Sequence, residues 1–263
     1  MSKDDIITAA VLVIGDEILS GRTKDRNIGA IAEHLTAIGI ALREVRIVGD
    51  VAEEIVAAVN ALRARYTYLF TTGGIGPTHD DITAACVAKA FDLPLVQDQE
   101  AFAILEKHYG IENLTPPRAK MALVPEGAKL IPNPVSAAPG FVIGNVHVMA
   151  GVPRIMQAMM VHVMADIKAG KPILSNTVAC NLPESKVAQD LAVLQEKYPD
   201  VDIGSYPHYR GGALGLSLVL RGTNNENLDL ATAEVLQIIK KHGDEPRALS
   251  IRSSGRGISA EGL

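Results

Sequence analysis

The first 170 residues alternate short apolar runs with segments whose apolar residues recur at helical spacing. In a parallel sheet each strand is followed by a helix that crosses back over the sheet, so the alternation predicts an α/β domain built on a mostly parallel sheet. The predicted strands are 9–14, 40–48 and 66–71, and the predicted helices are 28–38, 55–62 and 80–90.

The patterns between residues 99 and 167 are more varied. Helices are predicted near 99–109 and 117–123, and 141–149 is predicted to form a tight hairpin through Gly144-Asn145. The segment after Pro153 carries apolar residues at one-face helical spacing, with four Met among them. We interpret this stripe as a helix face packed into a core.

Gly170-Lys171-Pro172 interrupts the pattern, and we place a domain boundary there. Residues 1–170 then form the α/β domain. Residues 171–245 carry patterns for strand, helix, two strands and helix, which predicts a small α+β domain of βαββα order. Residues 246–263 show little apolar periodicity and are predicted to be a flexible tail.

The composition excludes several classes of protein. Hydrophobic residues make up 48% and charged residues 21% of the 263, which is typical of a globular chain. The formal net charge is −5, and there is no Trp, so neither a basic face nor an aromatic platform for nucleic acid is expected. The chain lacks an uninterrupted apolar run of about 18 residues. We expect no membrane span and no signal peptide.

The two cysteines, Cys86 and Cys180, lie in apolar contexts without a CxxC motif or a His at ligand spacing. Such cysteines are typically buried and structural, and not metal ligands or redox centres. We therefore expect both to be reduced and the protein to be cytoplasmic.

Acidic residues follow the predicted strands of the first domain. Asp16 and Glu17 come after the first strand, Asp50 after the second, and Asp80 and Asp81 after the third. Since the carboxyl ends of neighbouring parallel strands share one edge of the sheet, these carboxylates are expected to converge there. Their mutual repulsion indicates either a divalent metal ion or raised carboxyl pKa values.

The loop after the third strand, residues 71–81, is rich in glycine, and we call it the glycine-rich loop. Gly73, Gly74 and Gly76 would let successive main-chain N–H groups surround a phosphate. Alternatively, the glycines only form a turn, and Thr78 or one of the two aspartates caps the next helix. The loop has neither the Lys of a Walker loop nor GxGxxG spacing, which disfavours an ATPase or a dehydrogenase.

Several ordered motifs resemble a known family. They are the GDEILSG run at 15–21, then Asp25 and Asn27, and the TGGIGPTHDDIT run at 72–83, with further similar motifs at 133–141 and 151–156. Together they resemble the molybdopterin-binding MoaB/Mog fold, a three-layer α/β fold, and most of all its CinA-like branch. Ser136 and Ala150 depart from that pattern, where glycine and proline are usual.

The resemblance and the strand-end pattern together predict roles for individual residues. Asp81 and Asp50 match acidic positions of the pterin-binding relatives and are the predicted catalytic carboxylates. Asp16, Glu17 and Asp80 are the predicted metal ligands. The predicted phosphate and substrate contacts are Gly73, Gly74, Gly76, Thr78, Ser20, Asn27, Tyr206 and Arg210. The resemblance also suggests a homo-oligomer.

The second domain resembles the KH-type middle domain of CinA-like proteins. Its GxxG, at 212–215, enters a predicted strand and carries no basic residue, so RNA binding is not expected. The segment from Tyr206 to Arg210 is either a lid that contacts the substrate or a polar connector between strands. The chain has no room for the third CinA domain, and we expect nicotinamide mononucleotide deamidation to be absent.

The CinA-like resemblance implies a metal-dependent pyrophosphatase that cleaves ADP-ribose or a related nucleoside diphosphate compound to AMP and a sugar phosphate. The alternative is a molybdopterin-binding protein of molybdenum cofactor biosynthesis, acting in adenylyl transfer or metal insertion. A protein that binds a nucleotide or pterin without turnover is a third possibility. All three place a phosphate beside an acidic rim.

Overall fold

The computed structural model describes residues 6–210 and 213–254, which divide into two units. The first comprises the chain up to Leu35 together with Ile40–Ala169, and the second comprises Thr36–Gly39 together with the chain from Gly170 onward. Among the described residues, no helix has both the length and the apolar character needed to cross a bilayer.

The first unit contains eight strands and seven helices among its described residues, besides two short 3-10 turns. In chain order they are β1 (Thr8–Ile14), α1 (Asp16–Leu19), α2 (Asn27–Ala37), β2 (Ala41–Val48), α3 (Ala52–Arg65), β3 (Tyr68–Thr72), α4 (Thr83–Ala90), β4 (Leu95–Gln97), α5 (Gln99–Tyr109), α6 (Pro116–Ala119), β5 (Leu123–Pro125), β6 (Lys129–Ile131), β7 (Gly140–Ile143), β8 (Val146–Met149) and α7 (Pro153–Asp166).

Six of these strands form the central sheet, in the order β2-β1-β3-β8-β7-β6. The first four are parallel, while β7 runs antiparallel to both β8 and β6. Strands β1 and β3 are buried on both faces, as expected for parallel strands covered by helices. The predicted α/β class with a mostly parallel sheet is confirmed, as is the β7–β8 hairpin.

The register of the sheet determines where the functional loops lie. Ile14 pairs with Val48, Val13 with Thr72, and Thr72 with Met149. The four parallel strands therefore end at the same edge, and the segments that follow them start side by side. Leu12 in β1 is fully buried, and a Leu12→Ala change would cost about 2–5 kcal/mol of stability.

The second unit contains, in chain order, β9 (Leu174–Cys180), α8 (Glu184–Lys197), β10 (Val201–Arg210), β11 (Ala213–Gly222), α9 (Asn225–Lys241) and β12 (Arg247–Ser254). Its four strands form an antiparallel sheet in the order β10-β11-β9-β12. An apolar core between this sheet and the two helices includes Val187, Leu218 and Val235. The predicted small α+β fold is confirmed, with one strand more than the βαββα order.

The added strand corrects the prediction of a tail over 246–263, since β12 pairs with β9 at residues 247–254. Edge strands need few buried side chains, and residues 247–249 are exposed, so apolar periodicity could not reveal the pairing. The rest of the predicted tail, 255–263, lies outside the described residues, as do 211 and 212 of the GxxG. Both Cys86 and Cys180 are buried and unbridged, and burial raises the pKa of each thiol.

Two helix predictions are also corrected. Helix α4 begins at Thr83 and not at Asp80, because the side chain of Asp81 closes a turn onto Thr78. The helix predicted at 117–123 is the short α6 followed by a 3-10 turn at Lys120–Ala122.

Candidate functional site

The strand ends of the first unit border an open cleft of about 730 Å³. Its walls come from the loops after β1, β2, β3 and β8 and from the segment between α5 and β7. Its lining includes Glu17, Asp50, Gly73, Gly74, Ile75, Gly76, Thr78, Asp80, Asp81, Tyr109, Arg118, Asn133, Ser136 and Gly151. The cleft is large enough for a ligand of nucleotide or pterin size.

The glycine-rich loop requires glycine for steric and conformational reasons. Gly73 and Gly74 have φ values of 106° and 66°, which L side chains rarely adopt. A Cβ at Gly73 would lie 2.1 Å from the carbonyl oxygen of Ile14, and one at Gly74 would lie 2.2 Å from Oγ1 of Thr83. The loop therefore lies directly against β1 and the first turn of α4.

The loop also leaves hydrogen-bond donors available. The N–H of Gly73 donates to the carbonyl of Met149 at 3.2 Å, and Thr83 Oγ1 donates to the carbonyl of Gly73 at 2.9 Å. Within the described residues, the N–H groups of Gly74, Ile75 and Gly76 have no protein acceptor. Three consecutive donors ahead of a helix N-terminus form an arrangement that binds phosphate.

Thr78 connects the two aspartates of the loop. Its N–H lies 2.7 Å from Oδ2 of Asp81, and its hydroxyl lies 2.6 Å from carboxylate oxygens of both Asp80 and Asp81. The hydroxyl bond and the Asp80 main-chain N–H lower the pKa of Asp80, so the raised pKa considered for the rim acids is wrong for this residue. Since a hydroxyl carries one hydrogen, Thr78 satisfies one of the two acids at a time, and the other is available to a cation.

The other acids of the rim occupy different positions. Oδ2 of Asp50 accepts the main-chain N–H of Asp16 at 3.0 Å, which fixes the Asp50 carboxylate at the start of α1. Asp50 and Glu17 line the cleft, whereas Asp16 does not. The Asp16 side chain instead lies over Gly49, where a Cβ would be 2.5 Å from its Oδ1.

Ser20 and Asn27 do not line the cleft. Ser20 is exposed just after α1. Asn27 is buried and donates from Nδ2 to the carbonyl of Gly151 at 2.7 Å, so it anchors a loop that does line the cleft. Asp25, part of the same motif, caps α2 by accepting the N–H of Ile28 at 2.8 Å.

Tyr206 is 53% exposed and lies on β10 of the second unit. Residues 206–210 pair with β11, so the prediction of a connector between strands is wrong. Of Arg210, the structure describes the main chain, at the end of the same strand. A role for these two residues as a substrate lid stays a prediction.

The carboxylates do not form a complete metal site by themselves. Among the described residues, no three His, Cys, Asp or Glu side chains gather closely enough to hold a metal ion. Mg²⁺, however, is usually bound by one or two carboxylates together with substrate phosphates and water. The pair Asp80 and Asp81 beside the unpaired amides fits that kind of shared site.

Sequence reasoning missed the side chains that the end of α5 and the segment between α5 and β5 bring to the site. Lys120 donates from Nζ to the carbonyl of Thr78 at 2.7 Å. Tyr109 and Arg118 line the cleft, with the guanidinium carbon 4.3 Å from the ring centroid. No motif marks this segment, and only the tertiary fold shows that it reaches the site.

Residues 10–169 match the protein family described as "Probable molybdopterin binding domain", and residues 172–244 match the family described as "FAD synthase, middle domain". The first match covers more than half of the chain. The chain therefore belongs to the molybdopterin-binding domain family, and within it to the CinA-like branch of the MoaB/Mog fold. The second unit, expected to resemble a KH-type domain, is similar to the FAD synthase middle domain.

Individual relatives match large parts of this chain. A protein of Thermococcus kodakarensis is 38% identical over 79% of this chain and 88% of its own. A CinA-like protein of Desulfosudis oleivorans is 37% identical over 74% of this chain, and the match spans about half, 51%, of that relative. The crystal structure of a CinA protein of unknown function from Thermoplasma acidophilum is 37% identical, with a TM-score of 0.59 over 62% of this chain and 99% of that one.

Proposed function

We propose that the chain binds molybdopterin, or a closely related phosphorylated pterin, in the cleft of its first unit. The observation that carries the proposal is the set of three unpaired N–H groups at Gly74, Ile75 and Gly76. They would hold the ligand's phosphate, and the N-terminus of α4 behind them would add its dipole. Membership of the molybdopterin-binding domain family supports the pterin as the ligand.

The binding test uses the purified full chain under anaerobic conditions. Titration with molybdopterin should quench pterin fluorescence with a saturable curve and a Kd of micromolar order, and excess inorganic phosphate should compete. A chain that shows no saturable binding would contradict the proposal.

A second function is favoured by the acids on the same cleft, namely metal-dependent hydrolysis of a diphosphate such as ADP-ribose to AMP and a sugar phosphate. Asp50, Asp81, Asp80 and Glu17 would hold a divalent ion or accept the proton of the attacking water. A bound ion supplies charge neutralisation and a water of lowered pKa. As the oxygen of water bonds to one phosphorus, the bridging P–O bond breaks and the other phosphate leaves.

Turnover of ADP-ribose separates this activity from simple binding. AMP should form only with a divalent ion. Asp81→Asn should lower the rate of AMP formation at least about 100-fold, because the carboxylate is lost. Its melting temperature should be unchanged, because Asn keeps an acceptor for the N–H of Thr78. Asp98→Asn is the matched control, since Asp98 caps α5 by accepting the N–H of Ala101 outside the cleft.

Activity that survives exhaustive chelation would overturn the metal requirement, and an active Asp81→Asn variant would remove Asp81 from the site. Tight binding without product would leave a non-catalytic binding protein. The resemblance also supports a homo-oligomer, which sedimentation of the purified chain tests.

A further inference from the structure

The charges that line the cleft are unequal. Four acidic side chains line it, those of Glu17, Asp50, Asp80 and Asp81. Arg118 is the one Lys or Arg among the described residues that line it. An anionic ligand must overcome this negative surround, and Arg118 provides a fixed positive charge for the purpose.

The Arg118 guanidinium is held at two points. Nη1 donates to the carbonyl of Asn113 at 2.7 Å, and the guanidinium carbon lies 4.3 Å from the centroid of the Tyr109 ring. This stacking is within the range of an attractive cation–π contact. Asn113 also donates from Nδ2 to the carbonyl of Tyr109 at 3.1 Å, so one residue ties both partners together.

The remaining donors of Arg118 are unused. A guanidinium has five N–H donors in a rigid fork, and the described residues accept one of them and offer no carboxylate within ion-pair distance. The side chain is half-buried, so its position is restrained by packing as well as by the hydrogen bond. A fixed guanidinium with a free edge matches the geometry of a phosphate.

Resting on the proposed function, we infer that Arg118 is a second phosphate subsite of the cleft, and that Tyr109 is the residue that positions it. One phosphate lies on the amides of residues 74–76, and Arg118 pairs with a further anionic group of the same ligand. Among the ligands proposed above, Arg118 therefore favours one with two linked phosphates, such as ADP-ribose, over a pterin with a single phosphate. A monophosphate would use the loop and leave Arg118 unpaired.

Calorimetric titration of the full chain tests this subsite, with α,β-methylene-ADP as the non-hydrolysable diphosphate and AMP as the monophosphate. Arg118→Ala should weaken binding of the diphosphate about 10- to 100-fold, the value of a charge-assisted hydrogen-bonded pair, and change AMP binding less than about threefold. Arg118→Lys keeps the charge but loses the forked guanidinium. Its affinity for the diphosphate should lie between those of the unmodified chain and Arg118→Ala. Arg43→Ala is the charge-matched control, since Arg43 is exposed on β2 outside the cleft.

Tyr109→Leu is the test of positioning. It should lower the preference for the diphosphate over AMP by about three- to tenfold, the value of one cation–π contact, while binding of AMP stays constant. A purely structural role would weaken both ligands together.

The outcomes separate the two proposals. If the unmodified chain binds neither these nucleotides nor molybdopterin, the proposed function fails. If it binds molybdopterin but not the diphosphate, or if Arg118→Ala leaves the diphosphate preference unchanged, the subsite is wrong while the glycine-rich loop stands. Equal affinity of the unmodified chain for AMP and the diphosphate would also overturn the subsite.

Discussion

The acids that line the cleft of the first unit differ from the paired acids of the second unit. In the second unit, Asp190 pairs with Lys241 and His242 at 3.1 and 2.7 Å, and Glu234 pairs with Lys197 at 2.6 Å. In the first unit, none of the four acids that line the cleft forms an ion pair with a described residue. Paired carboxylates stabilise the fold that holds them, whereas unpaired ones that share a cleft stay available to a ligand or a cation.

Buried polar atoms show the same contrast. Oδ1 of Asn27, the hydroxyls of Thr71 and Thr72, and Nδ1 of His147 are buried without a partner among the described residues, and all four belong to the first unit. An unpaired buried polar group costs roughly 1–3 kcal/mol. Among the described residues, such unpartnered atoms occur in the first unit and not in the second.

The largest expected effect is that of Gly73→Ala. The new methyl group would meet the main chain of β1 at a φ of 106°, so we expect the first unit to lose about 3 kcal/mol or more of stability, together with ligand binding. Scanning calorimetry of the full chain should show the first unit's transition lowered by about 6–12 °C. Gly29→Ala in α2 has open space around it and serves as the control. An unchanged transition in Gly73→Ala would contradict the loop geometry.

The next effect is a pH dependence confined to the first unit. Burial lowers the pKa of His147 from 6.5 to about 4, so the unfolded chain binds more protons between these values. The first unit should lose about 3 kcal/mol of stability as the pH falls from 6.5 to 4. The His147 ring packs beside Tyr68 and Phe70, so Phe can take its place. His147→Phe should remove most of this loss of stability, whereas His162→Phe, at an exposed position, should not. A slope that persists in His147→Phe would assign it to other groups.

The smallest effect belongs to the second unit. Hydrogen bonds from Lys197 and Tyr198 lower the pKa of Glu234, so its contribution to stability is present above the unfolded pKa near 4.5 and is lost as the pH falls below it. Glu234→Gln should lower the second unit's stability at pH 7 by about 0.5–1 kcal/mol, as for a solvent-screened pair, and flatten the acid side of its profile. Glu196 is exposed and has no ion pair with a described residue, so Glu196→Gln is the matched control. Equal effects of the two changes would deny the pair a structural role.

The features that were predictable from sequence are those that follow from local periodicity. The alternation of strand and helix patterns predicted the parallel sheet. The residues after each strand predicted that Asp50 and the glycine-rich loop belong to the site, because neighbouring parallel strands end at the same edge of a sheet. The late start of α4 was not predictable, since it depends on how the Asp81 side chain folds back on Thr78.

Tyr109 and Arg118 were missed for a different reason. Their pairing arises from a loop tied by Asn113, and neither spacing nor residue type marks it. Strand β12 was missed because its pairing with β9 is made by main-chain atoms, which leave no apolar pattern in an exposed edge strand.

The central claim is that the main-chain amides of the glycine-rich loop bind phosphate. It is tested most directly by 15N-resolved amide spectra of the full chain titrated with AMP and, separately, with adenosine. We expect saturable shifts at Gly74, Ile75 and Gly76 with AMP that adenosine does not produce. Saturable AMP shifts that leave these three amides unmoved would contradict it.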